Sequence, residues 1–187
     1  MMTKEESKLH RKNPRRFWNR NERPVLHFCL MFCGILLLFS GLLRTEFFQT
    51  HLITPHLHQI ANLCGMLISK IGTSCEISGT TILSEKFSIT IVQGCDSLYP
   101  TILLWAALLA HPVSWKSKMF GIIAGAVILF IMNIIRVISM FYLGRSFPSL
   151  FGPVHLYAWQ ALFILLTLAI WLLWAVKVSH ERNPAGS

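Results

Sequence analysis

Three side chains in the second half of the chain form a chemical set: Cys95, Arg136 and His155. A cysteine attacks as thiolate, and a nearby cation lowers the thiol pKa. A histidine within hydrogen-bond reach takes the thiol proton and later gives it to a leaving amine. An arginine stabilises thiolate or the oxyanion of a tetrahedral intermediate, most strongly where water is scarce. Together they suit acyl transfer at a peptide bond. Arg136 is the hardest of the three to explain otherwise. It lies within the apolar stretch 131–138, Ile-Met-Asn-Ile-Ile-Arg-Val-Ile, where a guanidinium costs roughly 2.5–3.5 kcal/mol on insertion scales. Snorkelling is the plain alternative, because Leu143 is only seven residues further on, about 10 Å of helix. Asn133, three residues back, shares a helical face with Arg136 and is the candidate to support it. Trp159 and Gln160, a turn below His155, are candidates to line the same cavity.

The other cysteines carry weaker signals. Cys29 and Cys33 are one turn apart in an apolar run and read as small packing residues. Cys64, Cys75 and Cys95 lack the C-x-x-C spacing of zinc or thioredoxin-like sites, so no metal and no cofactor is expected. A disulfide remains open. Residues 75–92 alternate with period two, placing Ile77, Gly79, Thr81, Leu83, Phe87, Ile89 and Ile91 on one greasy face, and they read as a β-hairpin turning at Ser84-Glu85-Lys86. If Leu83 faces Phe87, the same register pairs Cys75 with Cys95.

These residues must be positioned by a chain that is built for a bilayer. Of 187 residues, 53% are hydrophobic and 13% charged, and the mean hydropathy is +0.54. Soluble domains carry about 25% charged residues, so a soluble enzyme and a disordered chain are both excluded. The net charge of +9 does not indicate nucleic acid. Eight of the 17 basic residues precede the first apolar run, which is the placement of a topology signal and an anionic-lipid contact. Apolar runs at 25–43, 97–110, 120–143 and 155–178 predict about four transmembrane helices. The first has no small-residue cleavage site after it and reads as a retained anchor. Residues 47–71, polar at intervals and interrupted by Pro55, read as an amphipathic helix at the interface rather than a span. The segment 144–154, with Gly144, Pro148, Gly152 and Pro153, reads as a loop.

The basic residues set the parity. Four spans with a cytoplasmic N-terminus leave twelve Lys and Arg inside and four outside, whereas a fifth span would export Lys116, Lys118, Lys177 and Arg182. The expected fold is therefore an all-α integral membrane bundle with an interfacial helix and a small outer-face hairpin. Its tails, 1–24 and 181–187, are cytoplasmic. Cys95, Arg136 and His155 then come from three helices at similar depth on the outer side of the membrane.

The ordered motifs resemble the exosortase/archaeosortase family of membrane cysteine transpeptidases. They are Gly94-Cys95, Asn133-Ile134-Ile135-Arg136, and His155 before Tyr157-Ala158-Trp159-Gln160. Pro112-Val113-Ser114-Trp115, the run 133–144 and the run 155–162 are similar to the branch called exosortase H. The resemblance covers about residues 60–175. It implies a nucleophile at Cys95, an arginine at Arg136 and a histidine at His155. It also implies protein substrates that end in a short motif, a transmembrane helix and a basic cluster. These would be cut through a thioester in the inner (plasma) membrane and passed to an acceptor, such as a membrane lipid or glycan. It weighs against a Cys75–Cys95 bridge, since oxidation would silence the nucleophile. Members often carry glycine two residues after the cysteine, where this chain has Ser97. Two other readings stand beside it: a four-helix membrane thiol–disulfide redox protein motivated by Cys64, Cys75 and Cys95, and a small transporter or assembly subunit that uses Arg136 as a contact.

Overall fold

The computed structural model describes residues 14–182, with side chains from Val25 to His180. Helix α1 (Pro14–Leu42) begins inside the expected N-terminal tail and carries the first apolar run without interruption. Residues 1–13 of that tail, and 183–187 of the C-terminal one, lie outside the described residues. After a tight turn come α2 (Glu46–Phe48), a π-helical turn (Gln49–Ile53) and α3 (Thr54–Lys70). Pro55 falls in the first turn of α3, where a missing N–H breaks no helical hydrogen bond. Leu57, Ile60, Ala61, Cys64 and Ile68 recur at helical spacing and are buried. This face packs on α5 and the sheet, so 47–71 is amphipathic because it covers protein.

The segment expected to be one hairpin is a three-stranded antiparallel meander, β1 (Glu76–Ser78), β2 (Thr81–Leu83) and β3 (Ser88–Thr90). A second turn, missed in the sequence, sits at Gly79-Thr80, where Gly79 takes φ +64° in the left-handed region that glycine tolerates. It changes the parity of the strands. Ile77, Ile82 and Ile89 form one rung, and Ile82 is fully buried, while Leu83 faces outward at 38% exposure. Leu83 pairs with Ser88, not Phe87. A one-residue slip moves every side chain to the other face. Cys75 precedes β1 and Cys95 follows β3, the two outer strands of the sheet, and all five cysteines are free thiols.

Among the described residues, three helices are long and apolar enough to cross a membrane: Val25–Leu42, Trp115–Ser146 and the continuous Pro148–His180. The run expected as the second span is α4 (Leu98–Ala110), which is apolar but shorter. Its 13 residues rise about 20 Å. Helix α5 (Trp115–Ser146) is packed closely by its neighbours: a Cβ on Gly121 would meet Trp174, and one on Gly125 would meet Leu104, as small residues allow at membrane helix interfaces. The expected loop 144–154 is mostly helix. Only Phe147 separates α5 from α6 (Pro148–Pro153), with Pro148 in its first turn. A π-helical turn (Val154–Ala158) then leads into α7 (Trp159–Arg182). Large apolar side chains on the helix exteriors, such as Leu37, Phe120, Ile131, Leu165 and Leu173, are exposed, which suits a lipid-facing surface.

Two apolar clusters divide the interior. One joins α3, the sheet and the C-terminal half of α5 through Ile60, Ile82, Ile91, Val137 and Phe141. The other joins α4, α5 and α7 through Leu104, Leu108, Leu129, Phe163 and Trp174. Cys95 packs against the first cluster, and Phe163, beneath Arg136, belongs to the second. The polar groups lie at the seam.

Candidate active site

Cys95 is presented by a short loop between β3 and α4. Its N–H donates to the Val92 carbonyl at 2.9 Å, and Gly94, third in this four-residue turn, has φ +94°. That conformation is the one a type II turn requires at this position. Two residues past the thiol, Ser97 also adopts a left-handed backbone, φ +60°, and its side chain makes no helix cap. A non-glycine residue there costs about 1–2 kcal/mol, which is the physical reason a glycine suits this position. Ser97→Gly is expected to hold stability or raise it by up to about 1 kcal/mol, and Ser97→Val to lower it by at least about 1 kcal/mol. Thermal unfolding of the detergent-solubilised protein reads both.

His155 occupies the π-helical turn just after Pro153. Such a turn inserts an extra residue and re-aims its side chains, and π turns are frequent at functional sites. Phe151 stacks on the imidazole with ring planes 5° apart and centroids 5.7 Å apart. His155 Nε2 lies 3.6 Å from Cys95 Sγ. Arg136 donates from Nη2 to the same sulfur at 3.8 Å, and its guanidinium lies over the Phe163 ring at 5.6 Å. It is only 6% exposed. Enclosure by protein, not snorkelling, is how this chain accommodates the cation.

The supporting residues divide. Gln160 shares a cavity lining with Arg136. Trp159 lines neither cavity at the site and packs against the Leu104 cluster and Phe163. Asn133 is fully buried, and neither end of its amide has a hydrogen-bond partner, so it does not hold Arg136 by a hydrogen bond. Residues not anticipated from the sequence are Phe151, Phe163 and Asp96. Phe151 was legible as an aromatic one turn before His155; nothing in the sequence marks Phe163. Asp96, next to the thiol, is fully buried; its Oδ1 accepts the Leu98 N–H and its Oδ2 has no partner. Burial pushes the Asp96 carboxyl pKa up, which weakens an anion that would oppose thiolate.

Burial also pushes the Cys95 thiol above its ordinary value of 9.0, and Arg136 pulls it back only in part. Burial therefore favours the neutral thiol, with the His155 imidazole beside it to take its proton. Its rate of alkylation by iodoacetamide is expected to rise with pH through a midpoint above 9.0, and Arg136→Gln to move that midpoint higher, since removing a cation disfavours thiolate. Peptide mass mapping of residue 95 across pH measures both. A midpoint below that of free cysteine contradicts the arrangement. Cys64 is more deeply shut in, its thiol pushed up to about 12 by burial, and Cys75 is held against α3 by Gly65 O at 3.3 Å and Ser69 Oγ at 3.2 Å.

Two cavities meet at Arg136. One, of about 400 Å³, is lined by residues 87–92 with Cys95, Arg136, Val137, Met140, Pro148, Phe151 and His155. The other, of about 430 Å³, opens between α1, α4 and α7 and includes Leu36, Ser40, Tyr99, Gln160 and Phe163.

Long apolar helices gathered around a thiol, an imidazole and a guanidinium define a multi-pass membrane protein with a cysteine-centred site. The family described as Transmembrane exosortase (Exosortase_EpsH) matches residues 23–173, and the chain belongs to that family. The match begins before the first span, further N-terminal than the motifs by themselves reach. No curated protein and no solved structure matches the chain.

Proposed function

We propose that this protein is a membrane cysteine transpeptidase or protease that cuts the C-terminal sorting signal of exported proteins. The observation that carries the reading is the convergence on one sulfur, with His155 Nε2 at 3.6 Å and Arg136 Nη2 at 3.8 Å. His155 takes the Cys95 proton as the sulfur attacks a backbone carbonyl of the substrate. Arg136 stabilises the oxyanion. The C–N bond breaks, His155 returns the proton to the leaving amine, and a thioester remains. An acceptor hydroxyl or amine, or water, then loses a proton to His155 and attacks the thioester, and the sulfur leaves and regains its proton.

In this reading α4 makes a fourth crossing, both ends of the chain lie in the cytoplasm, and the site faces the outer side of the inner (plasma) membrane. The substrate brings a short motif, a transmembrane helix and a basic cluster, and a membrane lipid or glycan is the acceptor. Sharing a bilayer confines enzyme and substrate and raises their effective concentration without a deep cleft.

Co-expression with a tagged substrate carrying such a tail tests the reading. Loss of the tail, seen by intact mass, is expected, with added mass identifying the acceptor. A substrate that stays full length beside folded wild-type enzyme refutes it.

A further inference from the structure

The strand that leads to the thiol has an unpaired edge, and that edge is one wall of the site cavity. In the order β1-β2-β3, β3 is terminal. Ile91 N–H donates to Thr80 O at 2.9 Å, and Ser84 N–H donates to Phe87 O at 3.1 Å. These bonds set the phase of the ladder: residues 87, 89 and 91 turn their backbone groups to β2, so Ser88, Thr90 and Val92 turn theirs away from it. These three are also the exposed residues of the segment. The cavity is lined by residues 87–92 on one side and by Val137, Met140, Pro148 and Phe151 on the other, with Cys95, Arg136 and His155 in the same lining and no residue of β1 or β2. An extended peptide needs about 4.8 Å beside a strand and a row of unpaired amides. The outward N–H groups of Ser88, Thr90 and Val92 have no strand partner, the Val92 carbonyl alone being taken by Cys95 N–H at 2.9 Å, and the groove is continuous with the sulfur.

Direction follows from α5. A Cβ on Gly144 would collide with the Phe87 ring, while Arg136 reaches Cys95. Eight residues of α5 separate these contacts, about 12 Å. The chain from Phe87 to Cys95 therefore runs from the end of α5 towards its middle. A substrate with its folded part outside and its terminal helix in the bilayer must enter in the same sense.

We propose that the substrate segment just before the scissile bond binds as a fourth strand, parallel to β3, and so delivers its last carbonyl to Cys95. The proposal deepens the proposed peptide cleavage and rests on it. Backbone pairing would supply affinity, while the apolar wall of Val137, Met140 and Phe151 would select apolar side chains at alternate positions.

The test uses the full chain in lipid nanodiscs and two reagents: the tripeptidyl probe acetyl-Leu-Ala-Phe chloromethyl ketone, and iodoacetamide. Rates of Cys95 modification are read by mass, each divided by the rate with free cysteine. The peptidyl probe is expected to gain at least tenfold over iodoacetamide. Thr90→Pro removes an outward N–H, which edge strands tolerate, together with the Thr90 hydroxyl, and should lower the peptidyl rate at least tenfold without changing the iodoacetamide rate. Thr90→Val keeps the N–H, loses only the hydroxyl contact with Thr81 at 2.9 Å, and should behave as wild type. Should Thr90→Pro not fold, methylating single amides of the probe against wild-type enzyme replaces it, with a tenfold loss expected at one amide and little at the next. Equal peptidyl rates for Thr90→Pro and Thr90→Val, equal effects of methylation at adjacent amides, or no peptidyl gain overturn the strand, even if tails are still cut. A Cys95 inert to both reagents overturns the thiol reading as well.

Discussion

Cells that co-express Cys95→Ala with a tail-bearing substrate are expected to accumulate the uncut precursor. Removing the nucleophile of a covalent mechanism costs up to about 10⁶-fold, so the product should fall below detection by intact mass. Cys75→Ala is the matched control. Its sulfur is engaged by Gly65 and Ser69 and it precedes β1, whereas Cys95 follows β3, so cutting should continue near the wild-type rate. The pair separates the three readings of this chain. A thiol–disulfide exchanger would suffer equally from either change. A transporter or assembly subunit would tolerate Cys95→Ala. Cutting that persists in folded Cys95→Ala enzyme removes the covalent mechanism altogether.

Arg136→Lys is expected to slow cutting by at least about 10²-fold, the scale of losing one oxyanion donor. Lysine keeps the charge and loses the planar fork. Here the fork spans a defined gap, with Nη2 at 3.8 Å from the sulfur and the guanidinium carbon over the Phe163 ring at 5.6 Å. An ammonium on a flexible stem cannot hold both contacts. Arg136→Leu should abolish cutting yet leave thermal stability equal or higher, because a cation within an apolar helix costs roughly 2.5–3.5 kcal/mol. That opposite movement of activity and stability marks a residue kept for chemistry. Arg136→Lys enzyme with unimpaired cutting, measured against equal amounts of folded protein, contradicts this role.

Much of the architecture is legible in local composition because a bilayer imposes a simple demand. Apolar runs at 25–43, 120–143 and 155–178 are long enough to cross, and in the structure they lie within long apolar helices. Residue chemistry marked Cys95, Arg136 and His155 as a set, since a guanidinium within an apolar helix is costly and a thiol and an imidazole can exchange a proton. The turn at Gly79-Thr80 escaped notice because the alternation of polar and apolar residues continues through it, and a two-residue turn leaves no gap in the pattern. The helical run 148–153 escaped because Pro148 and Pro153 read as breakers, although proline is at home in a first turn.

What this chain's sequence determined by itself is that it belongs in a membrane, and which three side chains are the candidates for chemistry. Only tertiary packing decided that they share one point. Phe151 stacks on the imidazole, Phe163 lies under the guanidinium, and the left-handed residues Gly94 and Ser97 bracket the thiol. The Phe163 contact joins α7 to α5, and the local sequence of neither carries a record of the other, because distance between helices is set by how side chains interlock and not by the order in which they occur.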